Sequence, residues 1–235
     1  MSSVGGSFVA RRRETRVLAG IVSALIAAGC TDPAEPVRTP TATPSPTVQP
    51  SPSVETTPGR PVAFAASDGV RIAGRLFGEG RVGRGAGCSG EGGTGDAWRD
   101  LVAGATWLRH RGARRIVLVG ASMGGTAAVV AASQAGSSVD GAVTLSAPVE
   151  CCGMTADRSV VQRTESPMLF LAGRFDADAP VSARQLARWA GSSGEVVIVA
   201  SGEHGVDLVG GLATPQVQRR TTEGILAFLG RVANA

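Results

Sequence analysis

The chain has 235 residues, 43% of them hydrophobic, enough for one ordinary globular domain plus an extension. Its formal net charge of +4 looks basic, but residues 1–29 carry four Arg and one Glu, so the remainder is close to neutral and gives no support to nucleic-acid binding. All 23 basic residues are Arg and Tyr is absent, a bias of codon usage in a GC-rich genome and not of chemistry.

The chain opens with a leader pattern. Arg11, Arg12, Arg13 and Arg16 precede the apolar run Val17–Gly29, which is followed by Cys30. A basic region, a short apolar run and small residues form a secretory signal, and the run is short for a bilayer span. The Ala28-Gly29-Cys30 ending is similar to a bacterial lipobox, which predicts lipidation of Cys30 and a place on the outer face of the cell membrane; Ala27 stands where Leu is usual, which leaves plain secretion, and after it an uncleaved anchor, as the alternatives. Residues 30–61 hold nine of the thirteen prolines among Ser and Thr, a composition that predicts an extended, disordered tether reaching up to roughly 95 Å in polyproline II.

Globular patterning runs over residues 62–235. Val62–Ala66 and Val70–Phe77 around Asp68-Gly69 predict a hairpin, and the Gly-rich stretch 78–95 predicts no strand. Trp98, Leu101, Ala105 and Leu108 recur at helical spacing after a cap at Thr94 or Asp96, with Gly112 as the stop. Ile116–Val119, Gly141–Leu145, Met168–Leu171 and Glu195–Val199 predict strands. They alternate with predicted helices at Thr126–Gln134, Val181–Ala190 and Gln216–Val232. The class is α/β, a mostly parallel sheet with helices on both faces. Trp98, Trp107 and Trp189 read as core or flank residues, and His110 as a solvated helix-end residue.

The chemistry centres on Gly120-Ala121-Ser122-Met123-Gly124, set between a predicted buried strand and a predicted helix. At this glycine content chance alone gives roughly 0.4 such patterns in the chain, so the context decides. A strand that turns at once into a helix holds Ser122 on a tight bend at the carboxyl edge of the sheet, beside a helix N-terminus. Ligands gather where parallel strands end. The loops after the next candidate strands carry Asp176, with Asp178 as the alternative acid and Glu150 as a remote third, and then His204. A serine hydroxyl is a weak nucleophile until a neutral imidazole takes its proton, and a carboxylate fixes the tautomer of that imidazole. The Met123 backbone N–H, at the helix N-terminus, is placed to donate to an oxyanion.

From Val62 to Ala235 the chain resembles the α/β-hydrolase superfamily, nearest to small dienelactone-hydrolase-like or prolyl-oligopeptidase-like esterases. The resemblance rests on Gly120–Gly124, on Gly173-x-x-Asp176 followed by Pro180, and on His204-Gly205. It implies a serine hydrolase acting without a cofactor or metal on a small ester, thioester or peptide-like substrate, with Ser122 as nucleophile, Asp176 as acid and His204 as base. The superfamily carries two more strands and a helix before a turn like Arg84-Gly85-Ala86-Gly87-Cys88-Ser89; here that turn follows Gly83 at once. The absent block would supply the second oxyanion donor, whose loss costs roughly 10² to 10³ in rate, so the alternative is a weak or inactive hydrolase-derived binding module. Cys88, Cys151 and Cys152 remain beside Cys30. An exported chain predicts a disulfide from Cys88 to Cys151 or Cys152, and a thiol activity at Cys151-Cys152 is a third, weaker reading.

Overall fold

The computed structural model describes residues 22–24, 60–67, 69–76, 83–85 and 93–235. Cys30, most of the predicted tether and Cys88 lie outside them. So do most of the leader pattern and the greater part of the Gly-rich stretch.

Ten strands are described: β1 Val22–Ala24, β2 Arg60–Ala65, β3 Arg71–Leu76, β4 Gly83–Gly85, β5 Val117–Ala121, β6 Gly141–Leu145, β7 Glu150–Cys151, β8 Met154–Thr155, β9 Met168–Gly173 and β10 Gly194–Val199. Eight form one sheet in the order β10-β9-β6-β5-β1-β4-β3-β2, and β7 and β8 form a separate hairpin. Pairing is parallel from β10 through β4 and antiparallel in the β2–β3 hairpin and its junction with β4. Two features depart from expectation. Gly83–Gly85 forms a strand inside the Gly-rich stretch, because backbone pairing asks nothing of the side chains. Val22–Ala24, within the run read as a leader, lies between β5 and β4, where the resemblance places the absent block.

Burial on both faces explains why the central strands are continuous apolar runs. Every residue of β6 and β9 is buried. Side chains alternate between the two faces with the pleat. Ile116, Leu118, Met168 and Phe170 join one cluster with Leu101, Val129, Val161 and Leu186. These come from α1 Ala97–His110, α2 Met123–Ala135, α3 Arg158–Gln162 and α4 Ala179–Ala190. Val117, Val119, Leu169 and Leu171 join the other cluster with Val217 and Phe228 of α5 Pro215–Asn234. Phe170 and Phe228 are fully buried; truncating either to Ala costs about 3–5 kcal/mol.

The helix ends refine the expected caps. Neither Thr94 nor Asp96 caps α1 through its side chain. Thr94 lies in a 3₁₀ turn and donates from Oγ1 to the Cys152 carbonyl at 3.2 Å, and Asp96 accepts from Arg99 Nε at 2.8 Å. Trp98, Trp107 and Trp189 are partly buried against the first cluster. At the amino edge of the sheet, Asp140 accepts from Arg109, from Arg115 Nη1 at 3.1 Å and from the Ile116 N–H at 2.7 Å, which ties the end of α1 to the starts of β5 and β6.

The β7–β8 hairpin and α3 escape periodicity arguments because each is only two to five residues long. Cys152 and Gly153 form the hairpin turn, both with positive φ (58° and 82°), the arrangement of a tight two-residue turn. The turn brings the adjacent sulfurs of Cys151 and Cys152 together, and Cys88, the expected partner of one of them, lies outside the described residues.

Candidate active site

β5 delivers Ser122 into the first turn of α2 with φ 49° and ψ −120°, a region that side-chain-bearing residues rarely occupy. The bend is held from both sides. The Ser122 N–H donates to the Leu145 carbonyl at 2.8 Å, and the Ser122 carbonyl accepts from Gly125 and Thr126 at 2.9 and 3.2 Å. A Cβ on Gly120 would overlap the Gly124 carbonyl, and one on Gly125 would stand 2.6 Å from Ala147 Cβ. Glycine is therefore required where strand and helix cross. The Met123 N–H, first of α2, has no hydrogen-bond partner among the described residues, so an orphan donor stands beside the serine at the helix N-terminus.

The acid and the imidazole come from neighbouring loops after β9 and β10. His204 Nδ1 lies 2.9 Å from Asp176 Oδ1 and 3.1 Å from Oδ2. Asp176 is 7% exposed, while the His204 side chain is 52% exposed. A buried carboxylate thus faces Nδ1 and leaves the far edge of the ring toward solvent. The two loops are laced together: Arg174 donates to Val199, Phe175 donates to Ser201, and the Glu203 N–H donates to Ser201 Oγ. Gly173 makes this possible, since a Cβ there would meet the Ser201 carbonyl at 2.6 Å. Asp178, the alternative acid, is exposed at the start of α4 and makes no hydrogen bond to the imidazole. Two residues further along the loop, it has already turned away into the helix. Glu150 is exposed on β7, and His110 is exposed at the end of α1, as its helix-end position predicts.

The histidine loop packs on the serine bend. A Cβ built on Gly205, which has φ 56°, would come 3.3 Å from Ala121 Cβ and 3.9 Å from the Ser122 nitrogen. Ser122, Asp176 and His204 are therefore brought to one end of the sheet. Among the described residues neither Ser122 Oγ nor His204 Nε2 makes a hydrogen bond. Such contacts commonly tighten only when substrate is bound.

One participant escaped the sequence reading. Ser146 follows β6 with φ 55°, is 1% exposed, and accepts the Gly205 N–H on Oγ at 3.0 Å. Its own N–H donates to Leu171 at 2.8 Å. It ties the histidine loop to the centre of the sheet. The rule that pointed to Asp176, to look just past the end of each parallel strand, also points to Ser146. Among the described residues no three His, Cys, Asp or Glu side chains are grouped so as to hold a metal ion, and no described helix is long and apolar enough to cross a membrane.

A profile of the PGAP1-like alpha/beta domain matches residues 107–178, from the end of α1 through the serine bend to the acid loop. No curated protein sequence matches the chain. Among solved structures, an esterase of Pyrococcus furiosus is similar over 72% of this chain and 91% of its own, with a TM-score of 0.55 at 14% identity. A structure of the metagenome-derived lipolytic enzymes LipS and LipT is similar over 64% of this chain and 82% of its own, with a TM-score of 0.51 at 17% identity. Dipeptidyl peptidase 4 of Porphyromonas gingivalis is similar over 73% of this chain and 35% of its own, with a TM-score of 0.52 at 12% identity. An esterase, a lipolytic enzyme and a peptidase do not share a substrate. What they have in common with one another and with this chain is a scaffold, and that scaffold is the α/β-hydrolase fold.

Proposed function

We propose that the protein is a serine hydrolase that cleaves small carboxylic esters or related acyl compounds through Ser122, His204 and Asp176. The observation that carries this reading is the buried Asp176 carboxylate 2.9 Å from His204 Nδ1, on a loop packed against the bend that presents Ser122. In the first step Ser122 Oγ attacks the acyl carbon while Nε2 takes the hydroxyl proton, and Asp176 steadies the imidazolium that forms. The Met123 N–H stabilises the developing oxyanion. Collapse expels the alcohol, which receives the proton from Nε2. Water, deprotonated by the same nitrogen, then attacks the acyl-serine, releases the acid and restores the hydroxyl.

The leader pattern supports a place outside the cell. In this reading the leader, with the β1 segment Val22–Ala24, is removed on maturation, Cys30 is lipidated on the outer face of the membrane, and the Pro-rich segment holds the domain away from it; plain secretion is the alternative. Intact mass of the mature chain distinguishes the two, because a lipidated Cys30 adds a diacylglyceryl increment.

A fluorophosphonate probe tests the chemistry. Labelling of the folded protein that disappears in Ser122→Ala is the expected result. Absence of labelling in folded protein would favour the second reading, a catalytically weak binding module. That reading draws on the short interval between Leu76 at the end of β3 and Gly83 at the start of β4, which leaves no room for the superfamily's second oxyanion segment.

A further inference from the structure

The loops that carry the acid and the base expose large apolar side chains among their polar ones. Seven large apolar side chains are exposed among the described residues, and four of them, Phe175, Val206, Val209 and Leu212, stand in the two loops that carry Asp176 and His204. Phe175 and Leu212 are each 71% exposed. Phe175 immediately precedes the acid, and its Cβ lies 3.9 Å from a Cβ built on Gly202, so it reaches the histidine loop. Val206 and Val209 lie within and just after the 3₁₀ turn Gly205–Leu208 that follows the base. Single exposed apolar residues need no explanation, but a concentration of them in the loops that carry a candidate acid and base marks a binding surface.

The charge in the same loops narrows the occupant. Asp178, Glu203 and Asp207 are at least partly exposed there, against one cation, Arg174. A phosphate or carboxylate on the substrate would meet repulsion, whereas an uncharged ester would not.

We propose that Phe175, Val206, Val209 and Leu212 form an acyl-recognition collar, and that the substrate is a neutral ester of a medium-length fatty acid. This rests on the serine-hydrolase reading and adds its substrate class. The acyl chain lies along the collar while its carbonyl reaches Ser122. Each methylene that leaves water raises kcat/KM by at most about fourfold, and on a half-open surface by about twofold.

Chain-length selectivity tests it. For p-nitrophenyl esters the octanoate-to-acetate ratio of kcat/KM is expected to exceed 10 in the wild type, about twofold for each of several methylenes. It is expected to fall about tenfold in Phe175→Ser/Leu212→Ser and to hold in the control Val196→Ser/Leu226→Ser, whose exposed apolar side chains sit on β10 and α5. An unchanged ratio in the collar variant would overturn the proposal while leaving the hydrolase reading intact. Binding separates the two further, because it needs no turnover. Ser122→Ala is expected to bind a fluorescent methyl decanoate analogue several-fold more tightly than the same protein with the collar substitutions, and more tightly than a monomeric short-chain phosphatidylglycerol. Equal binding with and without the collar, or preference for the anionic lipid, would sink the proposal whatever the enzyme's activity. Loss of fluorophosphonate labelling with collar-dependent binding retained would sink only the hydrolysis.

Discussion

The two edges of the sheet solve the same geometric problem with different residues. At the amino edge the chain must reverse after each helix, and the left-handed positions there are glycines: Gly112, Gly136 and Gly191, with φ of 83°, 51° and 60°. Beyond the carboxyl ends of the strands, the left-handed positions include all four residues with side chains that adopt positive φ among the described residues: Ser122, Ser146, Cys152 and Ala177. Each such residue costs about 1–3 kcal/mol. A helix end needs only a backbone reversal, which glycine supplies without steric cost. Ser122 and Ser146 instead carry hydroxyls at fixed points, one toward solvent and one on the Gly205 N–H. At these two serines strain coincides with a positioned hydroxyl, and the amino edge, with the Asp140 network, bears stability.

Substitutions can break this contrast. Ser122→Gly is the sharpest, since activity should fall by roughly 10⁵ or more in ester turnover. Folding stability in chemical denaturation should rise by about 1 kcal/mol as the strain is relieved. A loss of stability would mean that the bend is not strained. Asp176→Asn should lower kcat by about 10⁴, because the amide presents the wrong partner to Nδ1; Asp178→Asn should change it little, and the reverse ranking would displace Asp176 from its role.

Across the sheet, Asp140→Ala takes the carboxylate partner from Arg115 and the Ile116 N–H and the counter-charge from Arg109, which keeps its backbone carbonyl acceptors. Stability should fall by about 2–3 kcal/mol, a factor on the order of 10² in the folding equilibrium. kcat of the folded fraction should stay as it was, and a matching loss of kcat would show that the two edges are coupled. Ser146→Ala releases the histidine loop and should cost about tenfold in kcat with KM nearly unchanged, in line with one neutral hydrogen bond. A rise in KM alone would assign Ser146 to substrate binding.

The smallest effect is at the start of α3. Hydrogen bonds from the Val160 N–H and the Ser159 hydroxyl, with a lesser contribution from Arg163, hold the Asp157 carboxyl below its ordinary value. A lowered folded pKa gives stability that is present above the unfolded pKa and lost as pH falls through the folded value. Asp157→Asn should therefore flatten the acid limb of the thermal midpoint slightly. An unaltered limb would show that the cap carries no pH dependence.

Much of this was legible in the residues. The central strands are legible because both of their faces are buried, which makes them apolar throughout. Gly141–Leu145 is observed as read, and β9 extends past its expected end to Gly173, whose small size leaves no apolar signal. The β7–β8 hairpin and α3 are too short to show a period. The Gly83–Gly85 strand was invisible because its pairing is made by backbone alone.

The order of Ser122, Asp176 and His204, each just beyond an apolar run, is a property of the sequence by itself. It follows from local rules: β-branched runs extend, Ala-rich runs coil, and Gly permits the bend between them. Which carboxylate meets the imidazole, and that Ser146 secures the histidine loop, were decided only by tertiary structure. Asp176 and Asp178 differ by two positions in a loop, and only the packing of that loop on Ser201 and Glu203 turns one toward His204 and the other to solvent. Contacts between residues as far apart as Ser146 and Gly205 depend on how strands stack side by side, and a one-dimensional pattern holds no distances across a sheet.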